Sequence, residues 1–223
     1  MVRKFVSSQL ATTLFVLLAF TLLLPAAQAS ILSVGGVQTP TSIIPGGTLV
    51  GSASGTIVTP TLTVPWWEWV YRDPLNTLPG CAGKCLDFVY QFHDNAFAGA
   101  DAIQRITMSS FEPLGMSAVV NVGMDVLGVH DPLQITWSTD AKVIAFDYTP
   151  FGLQIEPGQT TELMVVQTQA RTYVPGYVSV QDETSGFDKA LSPAAVVPEP
   201  ASLGLLGGGL IVVGSFVRRK LGL

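Results

Sequence analysis

The chain has 223 residues, 48% of them hydrophobic and only 12% charged, with a formal charge of −5. Its ends are apolar with a few basic residues, so the acids gather between them: from 30 to 197 there are 15 acidic side chains against six basic ones, a balance of −9. That balance excludes nucleic acid as a partner, since neutralising phosphates needs a basic face, and about 165 residues suit one domain with a real core.

Residues 1–29 read as a secretory signal peptide. Arg3 and Lys4 precede an apolar stretch from Leu10 to Leu24, and Ala27-Gln28-Ala29 fits the small-x-small cleavage pattern. An uncleaved anchor is the alternative, although the stretch is short for a span of roughly 20 residues.

From residue 30 onward apolar positions recur with a period of two, so strands are expected. The clearest is 86–93, with Leu86, Phe88, Tyr90 and Phe92 on one face and Asp87, Gln91 and His93 on the other. Others are expected at 55–64, 67–71, 102–109, 118–122, 133–137, 142–148, 162–169 and 176–181. Pro45-Gly46-Gly47, Pro79-Gly80, Pro157-Gly158 and Pro175-Gly176 read as turns, with φ fixed at Pro and positive at Gly. No segment is long enough for helical crossovers. The predicted fold is therefore an all-β antiparallel sandwich of jelly-roll or immunoglobulin-like kind over 30–181, followed by a linker at 182–196.

Within this domain, Cys81 and Cys85 flank a Gly-rich turn. A disulfide is the first reading for an exported chain, two free thiols the second. Trp66, Trp67 and Trp69 cluster in one expected strand, with Trp67 and Trp69 on one face and Trp66 and Glu68 on the other. They are candidate glycan contacts, weighed against Trp67 and Trp69 being core and Trp66 lying at an edge. Asp87, Asp94 and Asp101 recur every seven residues and read as a solvated face. His93 and His130 stand beside Asp94 and Asp131 as strand-end residues. No metal site, cofactor or catalytic residue is expected, and no nucleophile, zinc or phosphate-binding motif is present.

The C-terminus is the most specific part. Val197-Pro198-Glu199-Pro200 holds a carboxylate in extended backbone. Residues 201–217 are apolar and uncharged, rich in Gly, and end at Arg218-Arg219-Lys220. As a transmembrane helix they span about 26 Å, slightly less than a bilayer core, and the basic stop belongs on the cytoplasmic side.

This ordered set, Pro198-Glu199-Pro200, the Gly-rich apolar stretch and Arg218-Arg219-Lys220, resembles the PEP-CTERM sorting signal of Gram-negative bacteria, over residues 197–220. The resemblance implies recognition by an exosortase-like membrane protease that cleaves near the motif, in bacteria that often make extracellular polysaccharide. The expected protein is thus exported, held at the periplasmic side of the inner membrane before processing, and then at the cell surface or outside the cell. It is expected to be a non-enzymatic surface or matrix protein associated with exopolysaccharide. A carbohydrate-binding module is the alternative, and an exported hydrolase the third reading.

Overall fold

A computed structural model describes residues 31–128, 130–149 and 152–195. The expected signal peptide, the motif at Pro198, Glu199 and Pro200, the transmembrane helix at 201–217 and the stop at Arg218, Arg219 and Lys220 lie outside these residues. No helix among the described residues is long and apolar enough to cross a membrane.

Among the described residues twelve strands form two six-stranded antiparallel sheets packed as a sandwich. In chain order they are β1 (Ile31–Ser33), β2 (Val37–Gln38), β3 (Thr48–Val58), β4 (Thr63–Arg72), β5 (Leu86–Phe92), β6 (Arg105–Ser109), β7 (Val119–Met124), β8 (Gln134–Trp137), β9 (Val143–Asp147), β10 (Met164–Gln167), β11 (Tyr173–Gln181) and β12 (Ser185–Pro193). The first sheet runs β1-β7-β10-β5-β4-β3 and the second β12-β11-β6-β9-β8-β2.

The alternation read in β5 holds. Leu86, Phe88, Tyr90 and Phe92 are buried in one cluster with Ile106, Ile144, Phe146 and Val178 from the opposite sheet, because inward side chains of two stacked sheets are the only apolar surface each has to cover. The expected strand at 55–64 instead spans two strands. Thr59 breaks it by accepting the backbone N–H of Leu62 on its hydroxyl at 2.9 Å, closing the β3–β4 hairpin.

Two expectations are corrected at the second sheet. Pro175-Gly176 is not a turn but lies inside β11, facing Leu191 and Ala190 of β12. Gly176 is needed there because a Cβ would run into the Ser192 hydroxyl. The linker expected at 182–196 is mostly β12, paired with β11 along nine residue pairs from Tyr173↔Pro193 to Gln181↔Ser185. Its inward positions, Gly186, Asp188, Ala190 and Ser192, are small or polar, so its alternation lacks the apolar residues by which a strand is recognised.

The two edge strands β3 and β12 lie against each other at one side of the sandwich. Glycines make this possible: a Cβ on Gly55 would meet the Asp188 carboxylate, and one on Gly186 the Ile57 side chain.

Candidate functional site

The aromatic run on β4 splits between the two faces of the first sheet, with the inner set opposite to the expectation. Trp66 and Glu68 point inward and are fully buried, while Trp67 is 38% exposed. Trp66 therefore leaves the set of candidate glycan contacts. Its indole donates to Asp188 Oδ2 at 3.1 Å and its ring stacks near Phe92. On the outer face Trp69 and Tyr71 pack against Ile43, Val89 and Val165, leaving Trp67 as the exposed member of that row.

Glu68 accepts the backbone N–H of Leu191 on Oε2 at 2.7 Å, while Oε1 is buried without a hydrogen-bond partner. Burial pushes its pKa up to about 8, against the downward pull of the Leu191 N–H. Its charge in turn raises Tyr90, a phenol already raised by its own burial.

The seven-residue series of aspartates is not a solvated face. Asp87 and Asp94 are fully buried; only Asp101 is exposed. Asp87 lies under the loop 73–85, where Asn76 Nδ2 and Gln167 Nε2 each donate to it at 2.8 Å. Gln167 also accepts from Asn121 Nδ2 at 2.7 Å. Burial raises the Asp87 carboxyl, Gln167 opposes this, and Asp73 adds to it. The Cys81–Cys85 disulfide closes the same loop, with Cα atoms 5.0 Å apart, and packs on Leu78.

Asp94 is a different case. Both of its carboxylate oxygens are buried with no hydrogen-bond partner. Its backbone is tied to the facing loop, N–H to Gln159 O at 2.9 Å and O to Gly158 N–H at 2.6 Å. Burial pushes it up to about 7, helped by Asp182, Glu156 and Asp101. Among the described residues no three His, Cys, Asp or Glu side chains are grouped closely enough to hold a metal. His93 Nδ1 lies 2.8 Å from Thr160 Oγ1, and His130 Nδ1 is buried without a partner, so neither is hydrogen-bonded to a carboxylate.

Asp94, Asp101, Glu156 and Asp182 stand at one end of the sandwich, together with the exposed Arg105 that pairs with Gln181. At the other, Arg72, Lys84 and Arg171 are exposed around the point where the chain leaves the fold: the Arg171 guanidinium donates to Gly80 O at 3.3 Å, and the Ala194 N–H to Thr172 O at 3.0 Å.

Two residues after that last bond, residues 196–220 match the family model described as the PEP-CTERM protein-sorting motif. The chain carries a PEP-CTERM sorting motif. The match covers the tail and none of the sandwich, and it holds Pro198, Glu199, Pro200 and the basic stop read from the sequence. A PEP-CTERM tail marks an exported protein sorted by an exosortase. No curated protein and no solved structure matches the chain.

Proposed function

We propose that this PEP-CTERM protein is a non-enzymatic surface protein: a β-sandwich exported to the periplasmic side of the inner membrane, processed at Pro198-Glu199-Pro200, and then displayed among extracellular polysaccharide. The observation that carries the reading is the position of the motif, which begins at residue 196, directly after β12 has ended at Pro193. A tail that short keeps the sandwich close to the membrane, and the end it leaves from bears Arg72, Lys84 and Arg171, the charge suited to anionic headgroups. The end that bears Asp94, Asp101, Glu156 and Asp182 then faces away from the bilayer.

The test replaces Pro198-Glu199-Pro200 with three alanines in a host that has an exosortase. The apolar stretch and Arg218-Arg219-Lys220 are untouched, so membrane insertion is retained. The uncleaved chain is expected to accumulate in the membrane fraction. Identical migration and distribution of variant and wild type on an immunoblot would show the tail to be a plain anchor.

A further inference from the structure

The outer face of the second sheet carries an open cleft of about 510 Å³ between β6, β11 and β12. Its floor is a field of hydroxyl and amide groups: Thr107, Ser109, Ser179 and Gln181. Thr107 Oγ1 and Ser179 Oγ lie 2.8 Å apart, which holds two of the hydroxyls in fixed positions. At one side stand Tyr177, 45% exposed, and Phe187, 72% exposed, packed edge to face with centroids 6.0 Å apart. Among the described residues no charged side chain lines the cleft; Lys189, opposite Tyr177, and Arg105, opposite Gln181, flank it.

Large aromatic rings at this exposure need a reason. Phe187 is far more exposed than any of the core aromatics, and nothing in the sandwich requires it, since the inward positions of β12 are its alternate residues. Fully burying such a ring is worth about 1.5–3 kcal/mol, which a partner would recover. Apolar C–H faces stack on aromatic rings, while hydroxyls bind hydroxyls and amides. A pyranose presents both at once, and a cleft of this size lies within the usual range for a small-ligand site. The lining itself offers hydroxyls, an amide and rings and no charge to pair with a polyanion, so a neutral polymer is the ligand its chemistry fits.

We infer that the Tyr177–Phe187 cleft binds a neutral polysaccharide, with the two rings stacking on sugar faces and Thr107, Ser109, Ser179 and Gln181 meeting its hydroxyls. The inference rests on the reading of the protein as one displayed among polysaccharide, and moves the glycan contact from the tryptophans of β4 to the opposite sheet. The 182–196 segment, which reads as a linker in sequence, supplies Phe187.

The experiment is affinity electrophoresis of the full chain in detergent, through gels containing hydroxyethylcellulose, dextran or the polyanion alginate. Wild type is expected to be retarded by at least one of the neutral polymers. Phe187→Ala and Tyr177→Ala each weaken that retardation by about tenfold in affinity, which corresponds to about 1.4 kcal/mol. Both rings are exposed, so the variants keep their fold, checked by circular dichroism. Trp67→Ala leaves retardation unchanged. Retardation by neither neutral polymer, by alginate alone, or to the same extent in the Phe187 and Tyr177 variants overturns the inference. Loss in Trp67→Ala alone also overturns it, while leaving the polysaccharide reading intact on the other sheet. Processing of the tail is read by the separate fractionation experiment, so sorting and binding fail independently.

Discussion

The carboxylate of Glu68, on β4 of one sheet, accepts the backbone N–H of Leu191, on the edge strand of the other, at 2.7 Å. An edge strand exposes unpaired backbone donors that invite association with another chain. Here one of them is taken up by a buried acid 123 residues away in sequence.

That acid makes stability depend on pH. The usual carboxyl value is 4.5, and in the fold Glu68 is raised to about 8. Between these values the folded chain keeps a proton that the unfolded chain has lost, so the fold weakens as pH rises through this window and the loss is complete above it. Asp87, also raised by burial, acts in the same direction. Glu68→Gln still offers an acceptor to Leu191 and carries no titrating proton. It should flatten the decline by up to about 1 kcal/mol per pH unit, measured as urea unfolding at pH 5, 6, 7 and 8. An unchanged slope would mean that Glu68 is ionised in the fold.

Asp94 gives a second pH effect with the same sign. Raised to about 7 from 3.8, with both oxygens unpartnered, it opposes folding increasingly between those values. Asp94→Asn removes the charge while keeping the shape. Water around the surrounding loops screens part of the effect, so the expected gain at pH 8 is on the order of 1 kcal/mol, vanishing near pH 4. Equal stability of variant and wild type at pH 8 would show that Asp94 is satisfied by groups or water around it.

Gly55 should be irreplaceable for a local reason. A Cβ there would come within 2.0 Å of Asp188 Oδ2 and 2.9 Å of the Trp66 indole nitrogen, and those two atoms are hydrogen-bonded to each other. Gly55→Ala is expected to cost about 1–3 kcal/mol. In an Asp188→Ala background the same change should cost less, since the clashing group is gone. A double-mutant cycle with no coupling between the two positions would contradict this contact.

What the sequence disclosed, and what it concealed, follows from the same contacts. The parity of β5 was legible because its inward residues are all large and apolar. The parity of β4 was legible only as a pairing of Trp67 with Trp69 and of Trp66 with Glu68; which pair is buried depends on Leu191 and Asp188, far along the chain, to satisfy Glu68 and Trp66. Asp87 looks solvated in a strand pattern and is buried because the loop 73–85 folds back over it and supplies Asn76. The disulfide in that loop was legible from the spacing of Cys81 and Cys85 in a turn. The sorting motif needed no fold at all to be read, since its signal is local order along the chain. The Tyr177–Phe187 pair was not legible, because it forms only when the supposed linker is a strand.

The boundary of the domain is the consequence of β12 that is easiest to test. If 182–196 were a linker, a fragment ending at 181 would fold. In the structure it would lose the nine-pair ladder with β11, the Leu191 donor to Glu68, the Asp188 acceptor to Trp66 and the buried Ala190. Glu68 would lose its Leu191 hydrogen bond, and a buried polar group left without its partner costs about 1–3 kcal/mol. Trp66 would lose its partner as well, and β11 would become an edge with Tyr177 standing alone. Those losses together rival the whole stability of an ordinary domain, about 5–15 kcal/mol. The fragment 31–181 is therefore expected to lack a cooperative unfolding transition, whereas 31–195 should unfold cooperatively with a β-type circular dichroism spectrum. Cooperative folding of the shorter fragment would show that β12 is an appendage of the sandwich and that the tail begins fourteen residues before the sorting motif.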